Sequence, residues 1–339
     1  MPDNVNLSLA EAEALAVAAL TACGTSESNA RALSAGILGA ELDGIASHGF
    51  RYLPIYCEHV LCGKVRGAAE PQLTQLSESA FMVDARNGFA HPAIDIGFEA
   101  AIPAAQARAV AGLGIRNSYN CGVLGFHVEQ IARAGLLGIG FTNAPASIAP
   151  VGATHAVVGT NPFAVAVPDG AGGVAMVVDQ SSSVVAKSEL SARAAHGEPI
   201  PEGWALGPDG EPTTDPKVGL AGTMMPSGGY KGFGVALLVE VLAAALTSST
   251  LGIDASSFAT NEGGPPGTGQ FFILLDPGAF AAGGFDTRIA ALCEAIAGQE
   301  GGRIPGRRRF ETRTRIAESG IELPAALRQR IDGYIARGR

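Results

Sequence analysis

Most motifs that announce a chemistry are missing from this 339-residue chain. No G-x-G-x-x-G fingerprint joins a strand to a helix; GLGIR (112–116) and GIGFT (138–142) hold two glycines each and read as strand interiors. There is no Walker loop and no G-x-S-x-G nucleophile elbow. Cysteine is scarce: Cys23, Cys57, Cys62, Cys121 and Cys293 are an odd number without CxxC spacing. That argues against a disulfide framework or a zinc site, and for reduced thiols in a cytoplasmic protein. Charge is also sparse, at 16% of residues, with a formal net charge of −9. An acidic surface of this kind excludes nucleic acid and anionic membranes as natural partners. The longest apolar stretch, Phe233 to Leu246, contains Glu240 and is too short to span a bilayer, so it reads as a buried helix. No basic segment precedes an apolar run near the amino terminus, and no export signal is expected.

Hydrophobic residues make up 47% of the chain, much of it alanine. A chain of this length and composition is expected to form two or three lobes around sizeable cores. Ser8 and Glu11 fit a capping box that opens a helix ending at Gly24. A second helix is expected from Ser26 towards Asp43. After Gly63 the pattern changes to strand–helix alternation: strands at 79–88, 110–118, 136–143, 163–167 and 174–179, and helices at 91–109, 127–134 and through Leu190. Pro103 should bend or interrupt the 91–109 helix. Residues 203–216 read as a proline- and glycine-rich connection. A long helix from Lys231, a strand GQFFILLD and two charged helices complete the chain. The expected class is α/β with helical amino- and carboxy-terminal segments. The expected division is a helical domain of 1–75 plus 300–339, and an α/β region of 76–299 for cofactor and substrate, in one or two lobes.

Three glycine-rich clusters remain as candidate sites. Asn117 to Gly125 ends a strand and enters a helix, where free backbone donors suit phosphate or ribose oxygens. GTNP places Thr160 and Asn161 before a proline that stiffens the turn. PSGGYKGFG sets Lys231 at a helix start, where ammonium and helix dipole reinforce each other for an anion. The most pointed signal is Ser47-His48-Gly49, bracketed by Gly44 and Gly49 and followed by Arg51. A proton donor in the neutral range beside a carboxylate-clamping guanidinium suits reduction of a 2-oxo or 2-imino acid. His59, His91, His127, His155 and His196 lack an evident acid–base partner and read as structural.

Taken in order, SHG with a nearby arginine, NS before a glycine-rich turn, GTNP, PTTDP, GGYKG, GQ before a strand, and IPGRRR resemble the malate/L-lactate dehydrogenase family over nearly the whole chain. The resemblance implies a cytoplasmic homodimer with a non-Rossmann NAD(P)-binding fold and a small anionic substrate. It implies His48 as proton donor and Ser47 as its hydroxyl partner. It implies cofactor contacts at Asn120, Cys121, Gly122, Val123 and Leu124, at Asp179, Gln180 and Ser181, at Gly229, Tyr230 and Lys231, and at Pro305, Gly306, Arg307, Arg308 and Arg309. Thr160 matches a substrate contact. The family arginine falls four residues after the histidine, where this chain has Tyr52 with Arg51 one place earlier, so the carboxylate clamp is Arg51 or another group. Some members have a second histidine where this chain has Asn120. Glu189 falls where imine reductases of the family have an aspartate, and is expected to complete a Ser-His-acid relay; the plain alternative is a solvated helix residue.

The resulting expectation is hydride transfer from NADPH or NADH to carbon 2 of a small cyclic 2-imino acid or 2-oxo acid, with no metal. Arg303, Arg307, Arg308 and Arg309 favour NADPH, whose 2′-phosphate needs such partners. A 2-hydroxyacid dehydrogenase, a Ser-His hydrolase and a non-catalytic binding protein stand as alternatives.

Overall fold

A computed structural model describes residues 4–338. Its amino-terminal part follows directly from local sequence signals. Ser8 and Glu11 form the reciprocal capping box, and helix α1 (Leu9–Ala22) follows. Gly24, at φ 101°, turns the chain, and Ser26 caps α2 (Glu27–Leu42). Helix α3 (Leu53–Leu61) begins with proline in its first turn, where the missing N–H costs nothing. These helices pack Leu20, Leu33, Ile37, Leu53 and Tyr56 into one core. The carboxy-terminal helices α11 (Arg307–Ser319) and α12 (Ala325–Arg337) return to it, with Ile331 and Tyr334 buried in the same core. Strand β1 (Val5–Leu7) pairs antiparallel with β12 (Ile321–Leu323), so the two ends of the chain are tied together.

The centre of the molecule is a seven-stranded mixed sheet. Its strands are β2 (Gln72–Ser77), β3 (Ala80–Gly88), β4 (Val110–Ser118), β5 (Leu137–Thr142), β6 (Phe163–Pro168), β7 (Val174–Gln180) and β11 (Thr268–Leu275), in the order β2-β3-β4-β11-β5-β6-β7. Only β3 and β4 run parallel. They are joined by the crossover helix α4 (Ala90–Arg108), as a parallel pair requires. Helix α4 runs through Pro103 without interruption. Helix α5 (Leu124–Arg133) packs on the same face, burying Ile94, Phe98, Leu113, Val128, Ile131 and Phe272. The two-glycine stretch of β5 is explained here: a Cβ at Gly138 or Gly140 would stand 2.8 Å from Ile131 or Val128 of α5. Those glycines serve close helix–sheet packing.

The opposite face of the sheet is covered by α8 (Tyr230–Glu240) and a π-helical turn, Val241–Ala245. Ala236, Val239 and Ala243 are buried, but Leu237, Leu238, Val241 and Leu246 are 42, 51, 56 and 55% exposed. The expected buried helix is therefore buried on one face only.

A third group of elements surrounds Ile148, Leu190, Ile200 and Met224. It comprises α6 (Lys187–His196), β8 (Ala205–Leu206), β9 (Pro212–Thr213), α7 (Pro216–Ala221) and β10 (Thr223–Met224). The expected connection at 203–216 thus contains two short strands. Helices α9 (Pro277–Ala281) and α10 (Phe285–Ala297) were not expected. No helix among the described residues is long and apolar enough to cross a membrane, and no cluster of three metal-ligating side chains occurs among them.

Candidate active site

The Ser-His-Gly segment leaves the carboxy-terminal end of α2. Gly44, at φ 73°, reverses the chain, and Ala46–His48 form a single 3₁₀ turn. Gly49, at the other end of the turn, has φ −90°. Ser47 Oγ lies 3.1 Å from His48 Nδ1. Burial lowers the proton affinity of His48, and the negative charge of Asp179 opposes that effect. The Tyr52 ring lies parallel to the imidazole, with centroids 6.3 Å apart. Asn120 Nδ2 donates to the Tyr52 hydroxyl at 3.4 Å, and Asn120 Oδ1 accepts the Gly122 N–H at 2.6 Å. The turn 120–124 is thereby drawn to the histidine. Burial pushes the Cys121 thiol up to about 12, so it is no nucleophile at neutral pH.

Asp179 joins three of the expected cofactor segments. Its Oδ2 accepts the Gly125 N–H at 3.0 Å and Arg309 Nη1 at 3.1 Å. A Cβ at Gly125 would collide with both partners. The Val177 N–H donates to the Pro305 carbonyl at 3.1 Å, and Gly306, at φ 88°, lies against the Val177 backbone. The 120–124 turn, the end of β7 and the 305–309 segment are therefore one construction.

The remaining segments meet beside it. The Ser182 N–H donates to the Thr160 carbonyl at 2.8 Å, and the Ser227 N–H to the Ser182 carbonyl at 2.8 Å. Asn161 adopts φ 38°, and its buried amide bonds the Ala236 carbonyl and Glu240 Oε2 at 2.9 and 2.7 Å. Thr160, Ser181 and the Gly228–Gly229 turn are thus set side by side. Gln180, Tyr230 and Lys231 are exposed. The Gly229 N–H is taken by the Pro226 carbonyl at 3.1 Å, as the Gly125 N–H is by Asp179, so both turns are tied within the protein.

Two expected roles, the Glu189 relay and the Arg309 phosphate contact, are not assembled. The Glu189 carboxylate pairs with Arg193 at 3.0 Å within α6, and the carboxylate whose charge acts on His48 is Asp179 instead. Arg309 faces inward to Asp179 and Asp43, at 3.1 and 3.8 Å, so it is not free for a phosphate; Arg303, Arg307 and Arg308 are exposed. Arg51 is exposed, and its charge acts on Glu41. The sequence reading also missed a buried ion network. Arg313 donates to Asp43 at 2.5 Å and, with two nitrogens, to both Glu129 oxygens at 2.6 Å. It ties α11 to α5 and to the residue that caps α2. Lys187 Nζ, 3.1 Å from Ser147 Oγ, was missed as well; burial lowers its proton affinity. His91 and His127 form a buried pair with centroids 5.1 Å apart, and burial takes His127 to about 4. Both are neutral packing residues.

The family model described as malate/L-lactate dehydrogenase matches residues 7–332. A (2R)-3-sulfolactate dehydrogenase (NADP(+)) of Chromohalobacter salexigens is 43% identical over 328 residues, covering 97% of each chain. A Delta(1)-pyrroline-2-carboxylate reductase of Ancylobacter novellus is 38% identical over the full length of both. Among solved structures, delta1-piperideine-2-carboxylate reductase from Pseudomonas syringae superposes with a TM-score of 0.92 at 32% identity, covering 97% of this chain and 99% of that one.

Proposed function

The chain belongs to the malate/L-lactate dehydrogenase family, and from that premise we propose that it reduces carbon 2 of a small cyclic 2-imino acid or 2-oxo acid with NADPH. It is an NAD(P)-dependent oxidoreductase, which removes the hydrolase and binding-protein alternatives. The observation that carries the reading is the Ser47–His48 pair placed under the charge of Asp179, the residue on which the cofactor segments converge.

When bound, the nicotinamide supplies the hydride to carbon 2. Residues 120–124, 179–181, 229–231 and 305–308 hold the dinucleotide, with exposed Arg303, Arg307 and Arg308 available to a 2′-phosphate. Ser47 fixes the imidazole through Nδ1, and His48 gives the proton on Nε2 to the substrate nitrogen or to the developing alkoxide. The depressed proton affinity of His48 makes it a readier donor once charged. Thr160 contacts the substrate, and Arg51 stands as the carboxylate clamp. The mixed sheet, with its single parallel pair, supports cofactor binding outside a Rossmann domain. The exposed apolar face of α8 and its π turn supports a homodimer, since a patch of this kind marks an association surface. A cytoplasmic location completes the reading.

A second reading, turnover of a 2-hydroxy acid with a second anionic group, is favoured by Lys187. Its ammonium is held by a serine hydroxyl rather than by a carboxylate, and a sulfonate or second carboxylate would suit it.

The test is cofactor absorbance with the purified protein. NADPH oxidation is measured with delta-1-pyrroline-2-carboxylate, delta-1-piperideine-2-carboxylate and pyruvate, and NADP+ reduction with 3-sulfolactate. Preferred turnover of a cyclic imine supports the main reading. Preferred turnover of sulfolactate selects the second, and no turnover of any of the four refutes both.

A further inference from the structure

Glu41 has no part in the reading above, yet it touches the Ser-His-Gly segment from behind. It lies in the last turn of α2, and its half-buried Oε1 accepts the Phe50 N–H at 2.6 Å. The backbone bonds of the 3₁₀ turn stop just short of that point. The His48 N–H donates to the Ile45 carbonyl at 3.0 Å, and the Gly49 N–H to the Ala46 carbonyl at 3.2 Å. Phe50 therefore carries the first amide after the turn without a backbone acceptor, and Glu41 supplies one. The Phe50 side chain is fully buried, so the segment after His48 is anchored through both ring and amide.

Gly49 belongs to the same arrangement. Its φ is negative, so left-handed backbone is not the reason for glycine here. Space is the reason: a Cβ at this position would run into the Glu41 carboxyl group. Burial raises the proton affinity of Glu41, while the Phe50 N–H and the Arg51 charge oppose that. Glu41 thus occupies a close-fitting seat between the end of α2 and the turn.

We propose that Glu41 is the positioning residue of the proton donor: its carboxyl group, seated where Gly49 has no side chain, fixes the turn that sets where His48 stands. The inference rests on the assignment of His48 as donor, and its test separates the two.

The test uses full-length Glu41→Ala, Glu41→Gln, Gly49→Ala and the Glu41→Ala/Gly49→Ala double variant. Readouts are kcat, KM, cofactor Kd and the His48 imidazole titration by NMR. Misplacing a reacting group by an ångström is costly, so Glu41→Ala is expected to lower kcat about tenfold with cofactor Kd within about twofold. Its His48 titration should move up towards the ordinary imidazole value as the ring gains solvent. Loss of a nearby negative charge alone would move it down, so the direction identifies displacement. Ser47, Tyr52 and Asp179, the groups that face His48, are unchanged in every variant. Glu41→Gln keeps an oxygen acceptor in the seat and should recover kcat to within about threefold. Gly49→Ala should reproduce the Glu41→Ala defect, and the double variant should add little to either.

A wild-type kcat and titration in Glu41→Ala overturn the proposal, as does a Glu41→Gln enzyme as impaired as Glu41→Ala. Should Glu41→Ala fail to fold, Gly49→Ala decides: an upward His48 shift supports the proposal and an unshifted titration overturns it. Failure of the donor assignment has a different signature, undiminished turnover by His48→Ala. The NMR titration reports the position of the turn in either case.

Discussion

Replacing Arg313 with methionine removes the cation from between two buried carboxylates. The side chains of Asp43 and Glu129 are 1 and 4% exposed, and Arg313 bonds both. Breaking a buried ion pair from one side costs about 3–5 kcal/mol, because a charge is left without its counterion. The lower end applies here. Asp43 keeps Arg309 at 3.8 Å and Glu129 keeps Arg133 at 3.1 Å. A loss of about 3 kcal/mol corresponds to a Tm lower by roughly 4 °C for a protein of this size. Burial already raises the proton affinity of Asp43, with Arg313 as the chief opposing influence, so the variant raises it further. A carboxyl whose folded pKa lies above its unfolded value carries its full penalty above the folded pKa. The penalty shrinks as pH falls through that value towards about 3.9. The stability deficit should therefore be larger at pH 7 than at pH 5. Urea denaturation of wild type and variant at both pH values measures it. A deficit under about 1 kcal/mol at pH 7, or one that grows on acidification, would refute the reasoning.

Two further outcomes follow from the same region. Asp179→Asn removes the charge that opposes the effect of burial on His48, so the reductive kcat/KM, which needs the protonated ring, should fall away at lower pH than in wild type; a midpoint that stays or rises contradicts the assignment. Arg303→Ala and Arg308→Ala, at exposed positions, should raise KM for NADPH about tenfold and leave NADH little changed, as loss of a phosphate partner does; equal effects on both cofactors would remove these residues from the 2′-phosphate site.

Elements written in local sequence were legible, and those that depend on distant pairing were not. The capping box at Ser8 and the glycine stop at Gly24 place α1, because each acts within a turn of its own helix. Alternating burial in β3 likewise follows the sequence pattern. The position of β11 between β4 and β5 is another matter. Its apolar run suits any central place in the sheet, and only the register with strands far back in the chain selects one. Strands β8, β9 and β10 have two residues each, too few for any periodicity to show. The half-exposed α8 was misread for a related reason: a helix apolar all round looks the same whether a core or a second chain covers it.

At the site, the turns were legible and the directions of charged side chains were not, although helical spacing held the information. Glu189 and Arg193 are four residues apart in the order that favours an ion pair on one helix face. The expected relay acid was thus already committed along its own helix. Asp179 gave no such sign, since a strand end reveals its neighbours only when the sheet is assembled. The arginine cluster follows the same logic. Read as a string, Arg307, Arg308 and Arg309 form one patch for a phosphate. They open α11, and successive helical residues point about 100° apart. Arg309 and Arg313, one turn apart, share the face turned to Asp43, Asp179 and Glu129, whereas Arg307 and Arg308 point to solvent. A basic run is a single patch only in an extended chain. In this helix it divides, with one face turned to the carboxylates of Asp43, Asp179 and Glu129 and the other to solvent.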